Sequence, residues 1–344
     1  MSISSMVWSK EPRSTADFRL KRWRNVGMGD DRIAAMLYRH PEHIPIGISF
    51  LPATWMRYRD ALDELLARYP AVFTSNGARD YDTVGGTYVQ GEHVDVWGCV
   101  WSNVRHGMES IVTKHPVPAR ADVRRLKAPE IDAGFPHGFM WLRLADLRGF
   151  DEIMIDFAEE PPELQMLIDI VLEYNLRQVD KLLRETDPTP HLIYFGDDLG
   201  AQHSLAISPE TWRKYLKPCY AKIYGRCRDA GHWVYMHTDG HIIEIIPDLM
   251  DCGVNVINAQ IRANGLDNLA SACKGKVCVA LDLDRQLFPF CTPKDIDDHI
   301  HESVEKLGAP EGGLWLCAEC GPDVPLENIE AICKALEKYR DFYR

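Results

Sequence analysis

The chain has 344 residues, 46% of them hydrophobic and 26% charged, with a net charge of −12. That length buries one large core, and the acidic surplus argues against general nucleic-acid binding, which depends on neutralising phosphates. No apolar run approaches the ~20 residues of a membrane span, and the start lacks the apolar stretch and small-residue cleavage site of a secretory signal, so a cytoplasmic protein with its ten scattered cysteines reduced is expected.

An N-terminal extension runs to about Asp30, and no low-complexity linker divides the remainder, so residues 31–344 read as one domain. In chain order, IPIGISF from Ile44, VDVWGCV from Val94 and FMWL from Phe139 are the weaker strand candidates. HLIYFGDD, HWVYMHTDG, VNVINAQ, VCVALDLD and LWLCAECG follow as short apolar runs, each leading into a helical pattern, which is the signature of a parallel sheet. Ser208-Pro209 and Thr292-Pro293 place a hydroxyl at the N-cap and proline at the first helical position; Gly231 and Gly308 mark helix ends. Ile329, Ile332, Cys333 and Leu336 form one apolar stripe on the last helix. Eight strands with intervening helices predict an α/β fold, a (β/α)8 TIM barrel with an N-terminal extension.

In such barrels the chemistry collects at the C-terminal strand ends. Asp95 and Trp97 lie near the second predicted strand, and Asp197 and Asp198 follow the fourth. His237, Asp239 and His241 follow the fifth, Asn258 and Gln260 the sixth, Asp282 the seventh, and Glu319 and Cys320 the eighth. Adjacent carboxylates such as Asp197 and Asp198 can raise one pKa and create a proton donor, or can serve as cap and loop residues. Asp239 has two readings, a metal ligand or the N-cap of a helix beginning near His241. Asp95, Asp197 and Asp198 are the catalytic candidates; Trp97, Asn258, Gln260 and Asp282 are the substrate-contact candidates, with core packing the alternative for Trp97.

HTDGHIIEIIPDLMDCGVNVINAQ, GDDLGAQHSLAISPETWRKYLKP and ECGPDVPLEN together resemble the uroporphyrinogen decarboxylase superfamily, and within it the cobalamin-dependent methyltransferases. The likeness runs from about Asp31 to Tyr339 and is strongest from Tyr194 to Asn328. It implies a barrel with a deep pocket at the strand tips. The decarboxylase itself carries an arginine pair four residues apart, whereas TWMRYRDAL has Arg57 and Arg59 two apart, and Cys320 stands where the decarboxylase has a histidine.

The methyltransferases resembled here hold zinc with a His-any-Cys-Gly sequence and a later Cys-Gly. His237, Gly240 and Cys320 fall on that pattern, with Asp239 in place of the first cysteine. The resemblance therefore implies zinc held by His237, Asp239 and Cys320, harder than a two-thiolate site and better suited to an oxygen ligand. It also implies a corrinoid-dependent methyltransferase acting on a small methylated compound or acceptor, including O-demethylation of methoxy compounds. No corrinoid-binding module is apparent, so cobalamin would arrive on a partner corrinoid protein. Two alternatives stay open: a tetrapyrrole-carboxylate decarboxylase, and a non-enzymatic corrinoid or tetrapyrrole binding protein.

Overall fold

The computed structural model describes residues 30–74, 77–132 and 134–344, so the N-terminal extension lies almost wholly outside the described residues. Six strands form one all-parallel sheet: β1 (Ile46–Phe50), β5 (Leu192–Gly196), β6 (Trp233–Thr238), β7 (Val256–Gln260), β8 (Cys278–Asp282) and β9 (Leu314–Cys320). Their order is β1-β9-β8-β7-β6-β5. Helices join and cover them, the last being Leu326–Tyr339, whose Ile329, Ile332, Cys333 and Leu336 are fully buried as the stripe predicts. The caps also form: Ser208 accepts from Thr211 N, and Thr292 with Asp295 makes a reciprocal capping box. This is the expected α/β barrel fold, with six regular strands in its parallel sheet among the described residues in place of eight.

The two missing strands have identifiable causes. The Val94 run folds into an antiparallel meander, β2 (Gly91–Val94), β3 (Val100–Asn103) and β4 (Ile111–Lys114), because Asp95 closes a turn inside it. Asp95 Oδ1 accepts from Trp97 N and Cys99 N, and Gly98 supplies φ +90°. FMWL becomes the start of the helix Trp141–Arg148, since the Asp197 carboxylate accepts from the amides of Met140, Trp141 and Leu142. A four-residue apolar run does not by itself distinguish strand from buried helix. The segment before that helix touches the sheet edge through one ladder-like bond, Gly138 N to Gly196 O at 2.7 Å.

Strand alternation sorts side chains to the two faces. Tyr235, Val256, Cys278, Ala280, Trp315 and Cys317 pack together inside the barrel, separate from the larger apolar layer between sheet and helices. One or two steps further along the same inward rows come His237, Asn258, Gln260, Asp282 and Glu319, so the barrel floor is apolar and its mouth polar. Among the described residues no helix is long and apolar enough to cross a membrane. A separate cavity of about 320 Å³, lined by His40, His43, Gly308, Arg340 and Arg344 among others, lies away from these strand tips.

Candidate functional site

The loops after β5 and β6 zip together beyond the sheet. Asp197 N donates to His237 O at 3.0 Å, Gly200 N to Asp239 O at 3.2 Å, and His241 N to Ala201 O at 2.8 Å. A Cβ on Gly240, whose φ is +83°, would lie 2.2 Å from the Gly200 carbonyl. Glycine is required there by close backbone approach as well as by φ. The residue before it, Asp239, is thereby fixed at the mouth.

His237 Nδ1 lies 2.6 Å from Asn258 Oδ1, while Asn258 Nδ2 donates to Ala280 O and to Asp282 Oδ1. The amide orientation makes Nδ1 the protonated ring nitrogen and turns Nε2 toward the carboxylates. His237 Nε2 is 3.4 Å from Asp239 Oδ1 and 3.7 Å from Asp198 Oδ1. Asp239 Oδ1 also accepts from Gln260 Nε2 at 2.7 Å, and Asp239 N donates to Asp198 Oδ1 at 2.9 Å. Asn258 and Gln260 thus position the cluster through His237 and Asp239. Arg285, reaching across the mouth, bridges Asp239 at 2.8 Å and Glu319 at 3.0 Å.

Two residues in this constellation were not legible in the sequence. His137 comes from the irregular segment ahead of the helix Trp141–Arg148 and sets Nε2 2.9 Å from Asp198 Oδ2. Arg285 sits in the loop after β8, an arginine among many in the chain. For His137 the one usable signal was a histidine beside a glycine in PHGF, which is weak.

Electrostatics separate the groups. Burial alone would raise Asp198, but the neighbouring His137 and His237 outweigh it and hold its carboxyl well below the usual range. Burial works against charging His237, yet Asp239, Asp198 and Asp282 prevail and raise its pKa. Asp282, whose burial is offset only in part by His237 and Asn258, is pushed up to about 6.

Several expectations need correction. Cys320 is fully buried in the apolar layer facing the helices, with Cys333 for a neighbour, because it lies one residue out of phase with the inward-facing Glu319. The inward thiol of β9 is Cys317, and burial pushes its pKa up to about 12. Asp239 is not a helix cap: its two oxygens are taken by Gln260 and Arg285. Asp197 points away from Asp198 into the core, at 0% exposure, so the pair does not share a proton. Asp95 is engaged by its own turn, by Trp101 Nε1 and by Arg143 at 2.8 Å, and Trp97 is buried edge-on against Tyr174. Both lock the meander to the barrel and stand outside the candidate site. His241 turns to Ala263 O and Glu244.

Among the described residues, two groups bring donor atoms within 4.8 Å of one another as a metal ion requires: His237, Asp239 and Asp282; and His137, Asp198 and His237. Zinc accepts imidazole nitrogen and carboxylate oxygen. The residues present therefore fit a divalent ion with nitrogen and oxygen donors, and do not fit the thiolate that Cys320 was expected to supply. Cys320→Ala is expected to leave metal content and turnover unchanged and to cost roughly 1 kcal/mol of stability, measurable by metal analysis beside thermal unfolding.

The sequence profile of uroporphyrinogen decarboxylase (URO-D) matches residues 141–339, more than half the chain. The chain belongs to the uroporphyrinogen decarboxylase family. The match begins with the helix that Asp197 caps and spans β5 to β9, hence every cluster residue except His137. Among solved structures, a methyltransferase from Methanosarcina mazei is similar over 91% of this chain and 98% of its own, with a TM-score of 0.60 at 16% identity. At that identity the likeness speaks to the fold. A B12-independent methionine synthase from a Shewanella species is similar over 67% of this chain and 68% of its own, with a TM-score of 0.39 and 13% identity. No curated protein matches the chain.

Proposed function

We propose that this member of the uroporphyrinogen decarboxylase family is a metal-assisted methyltransferase, moving a methyl group between a small methylated compound, a methoxy compound above all, and cobalamin carried by a separate corrinoid protein. The observation that carries this reading is the His237–Asp239–Asp282 donor group at the strand tips, formed entirely of nitrogen and oxygen. A divalent ion such as zinc, when bound there, supplies Lewis acidity toward the oxygen from which the methyl group departs.

The chain's own residues have separate tasks. Asn258 fixes the ring and tautomer of His237, and Gln260 with Arg285 orients Asp239. Asp198 holds His137 at the edge of the cluster. The Phe139 and Phe195 rings, 5.2 Å apart, back the segment carrying His137 with apolar surface.

The decarboxylase alternative is less well supported. Binding a substrate rich in carboxylates calls for free cations, and this mouth presents Asp198, Asp239, Asp282 and Glu319 around Arg285. Arg57 donates to Pro322 O and Arg59 pairs with Asp82, so neither early arginine is poised as a substrate clamp.

The test incubates the metallated protein with methylated corrinoid protein and candidate acceptors, and in the reverse direction with methoxy compounds and reduced corrinoid, following the cobalamin absorbance. Methyl exchange in either direction is expected, with uroporphyrinogen left unchanged. Conversion of uroporphyrinogen to coproporphyrinogen at an ordinary enzymatic rate, about 1 per second or faster, would overturn the proposal.

A further inference from the structure

The two donor groups at the strand tips share His237, and the second draws in a histidine from outside the sheet. We infer that His137 is a ligand to an ion held at this second group, beside the first and sharing His237 with it, so that the centre carries two imidazoles, from His137 and His237, and a carboxylate oxygen from Asp198. This rests on the metal-assisted reading above and extends it to a residue beyond the span matched by the family profile.

Three features of the structure converge on His137. The first is spacing. His137 Nε2 to Asp198 Oδ2 is 2.9 Å, and His237 Nε2 to Asp198 Oδ1 is 3.7 Å, with all three ligand atoms within 4.8 Å of one another. Bonds of about 2.0–2.1 Å to one ion separate neighbouring ligand atoms by about 2.9 Å in an octahedron and about 3.3 Å in a tetrahedron. The second is a cradle: a Cβ on Gly196 would lie 2.6 Å from His137 Nδ1, so the imidazole occupies space that only glycine at the end of β5 leaves open. The third is anchorage, since Gly138 N donates to Gly196 O and pins the backbone next to the ring. With Nδ1 over Gly196, Nε2 is the nitrogen facing Asp198.

The donor chemistry sets the class of ion. Two imidazoles and a carboxylate, without thiolate, suit borderline divalent ions such as zinc, cobalt and nickel, with hard magnesium and calcium disfavoured by the nitrogen donors. A site of this kind differs from the set of His237, Asp239 and Cys320, with its one thiolate, that the sequence resemblance implied.

Cobalt(II) titration of the metal-stripped protein, read by its visible ligand-field absorption, tests the inference without reference to turnover. Wild-type protein is expected to bind Co(II). His137→Ala should weaken binding by about 10-fold or more and shift the band, with the far-UV circular dichroism unchanged, and millimolar free imidazole should restore affinity and spectrum. Gly196→Ala, which keeps the imidazole but takes its space, should weaken binding in the same sense. If His137→Ala binds Co(II) with wild-type affinity and spectrum, His137 is no ligand and this inference falls while the metal-assisted reading stands. If wild-type protein takes up no Co(II) or Zn(II), that reading falls first and this one with it.

Discussion

Asp239→Asn is expected to lose metal and activity together while the fold stays intact. Asp239 Oδ1 faces His237 Nε2 at 3.4 Å and Oδ2 faces Arg285 at 2.8 Å. Replacing the carboxylate by a neutral amide removes the anionic ligand, and the loss should exceed the 10- to 100-fold that removal of an outer-sphere partner costs; about 100-fold or more in metal affinity is expected. The stability change should stay within about 1 kcal/mol, because Arg285 is 41% exposed and keeps Glu319. No helix depends on Asp239 for its cap. Zinc per chain, methyl-transfer rate and melting temperature, measured on one preparation, decide the matter: a fully metallated and active Asp239→Asn protein would remove Asp239 from the centre.

Asp197 and Asp198 are neighbours in sequence, but their variants should fail in different ways. Asp197 is fully buried and accepts from Met140 N at 3.1 Å, Trp141 N at 2.5 Å, Leu142 N at 2.9 Å and Tyr220 Oη at 2.6 Å. Burial pushes its pKa up, and the Tyr220 hydroxyl, the Leu142 and Trp141 amides and the nearby His137 pull against that. Asp197→Ala strands these donors in the core and leaves the helix Trp141–Arg148 without its cap, so a loss of about 3–5 kcal/mol is expected, each orphaned group costing about 1–3 kcal/mol before local relaxation. Asp198→Ala removes a half-buried carboxylate that contacts His137 and the Asp239 amide. Its melting temperature should fall far less, and its metal affinity far more. Denaturant unfolding and metal titration of the pair separate the roles; equal stabilities for the two variants would contradict them.

The six sheet strands were readable because each is a short apolar run rich in Val, Ile or aromatic residues that ends in polar turn residues, a pattern that survives in any parallel sheet with both faces covered. The same local logic placed His237, Asp239, Asn258, Gln260 and Asp282 at strand tips. It failed at FMWL, where the deciding group is a carboxylate 57 residues further along the chain. At Cys320 it failed for another reason. In LWLCAEC nearly every residue is buried, so no polar alternation marks the inward face, and the register of β9 on β8, which sets Cys317 opposite Asp282, decides which thiol points where.

By itself, then, the sequence determined the α/β class, the order of the sheet segments, the helix caps and the strand ends at which polar groups gather, because these follow from burial patterns and turn chemistry within a few residues. Only the tertiary structure decided which of those groups meet. His137 reaches Asp198 across 61 residues and Arg285 reaches Asp239 across 46. Such meetings depend on strand register, on a glycine that yields its volume to an imidazole, and on one buried carboxylate that turns an expected strand into a helix.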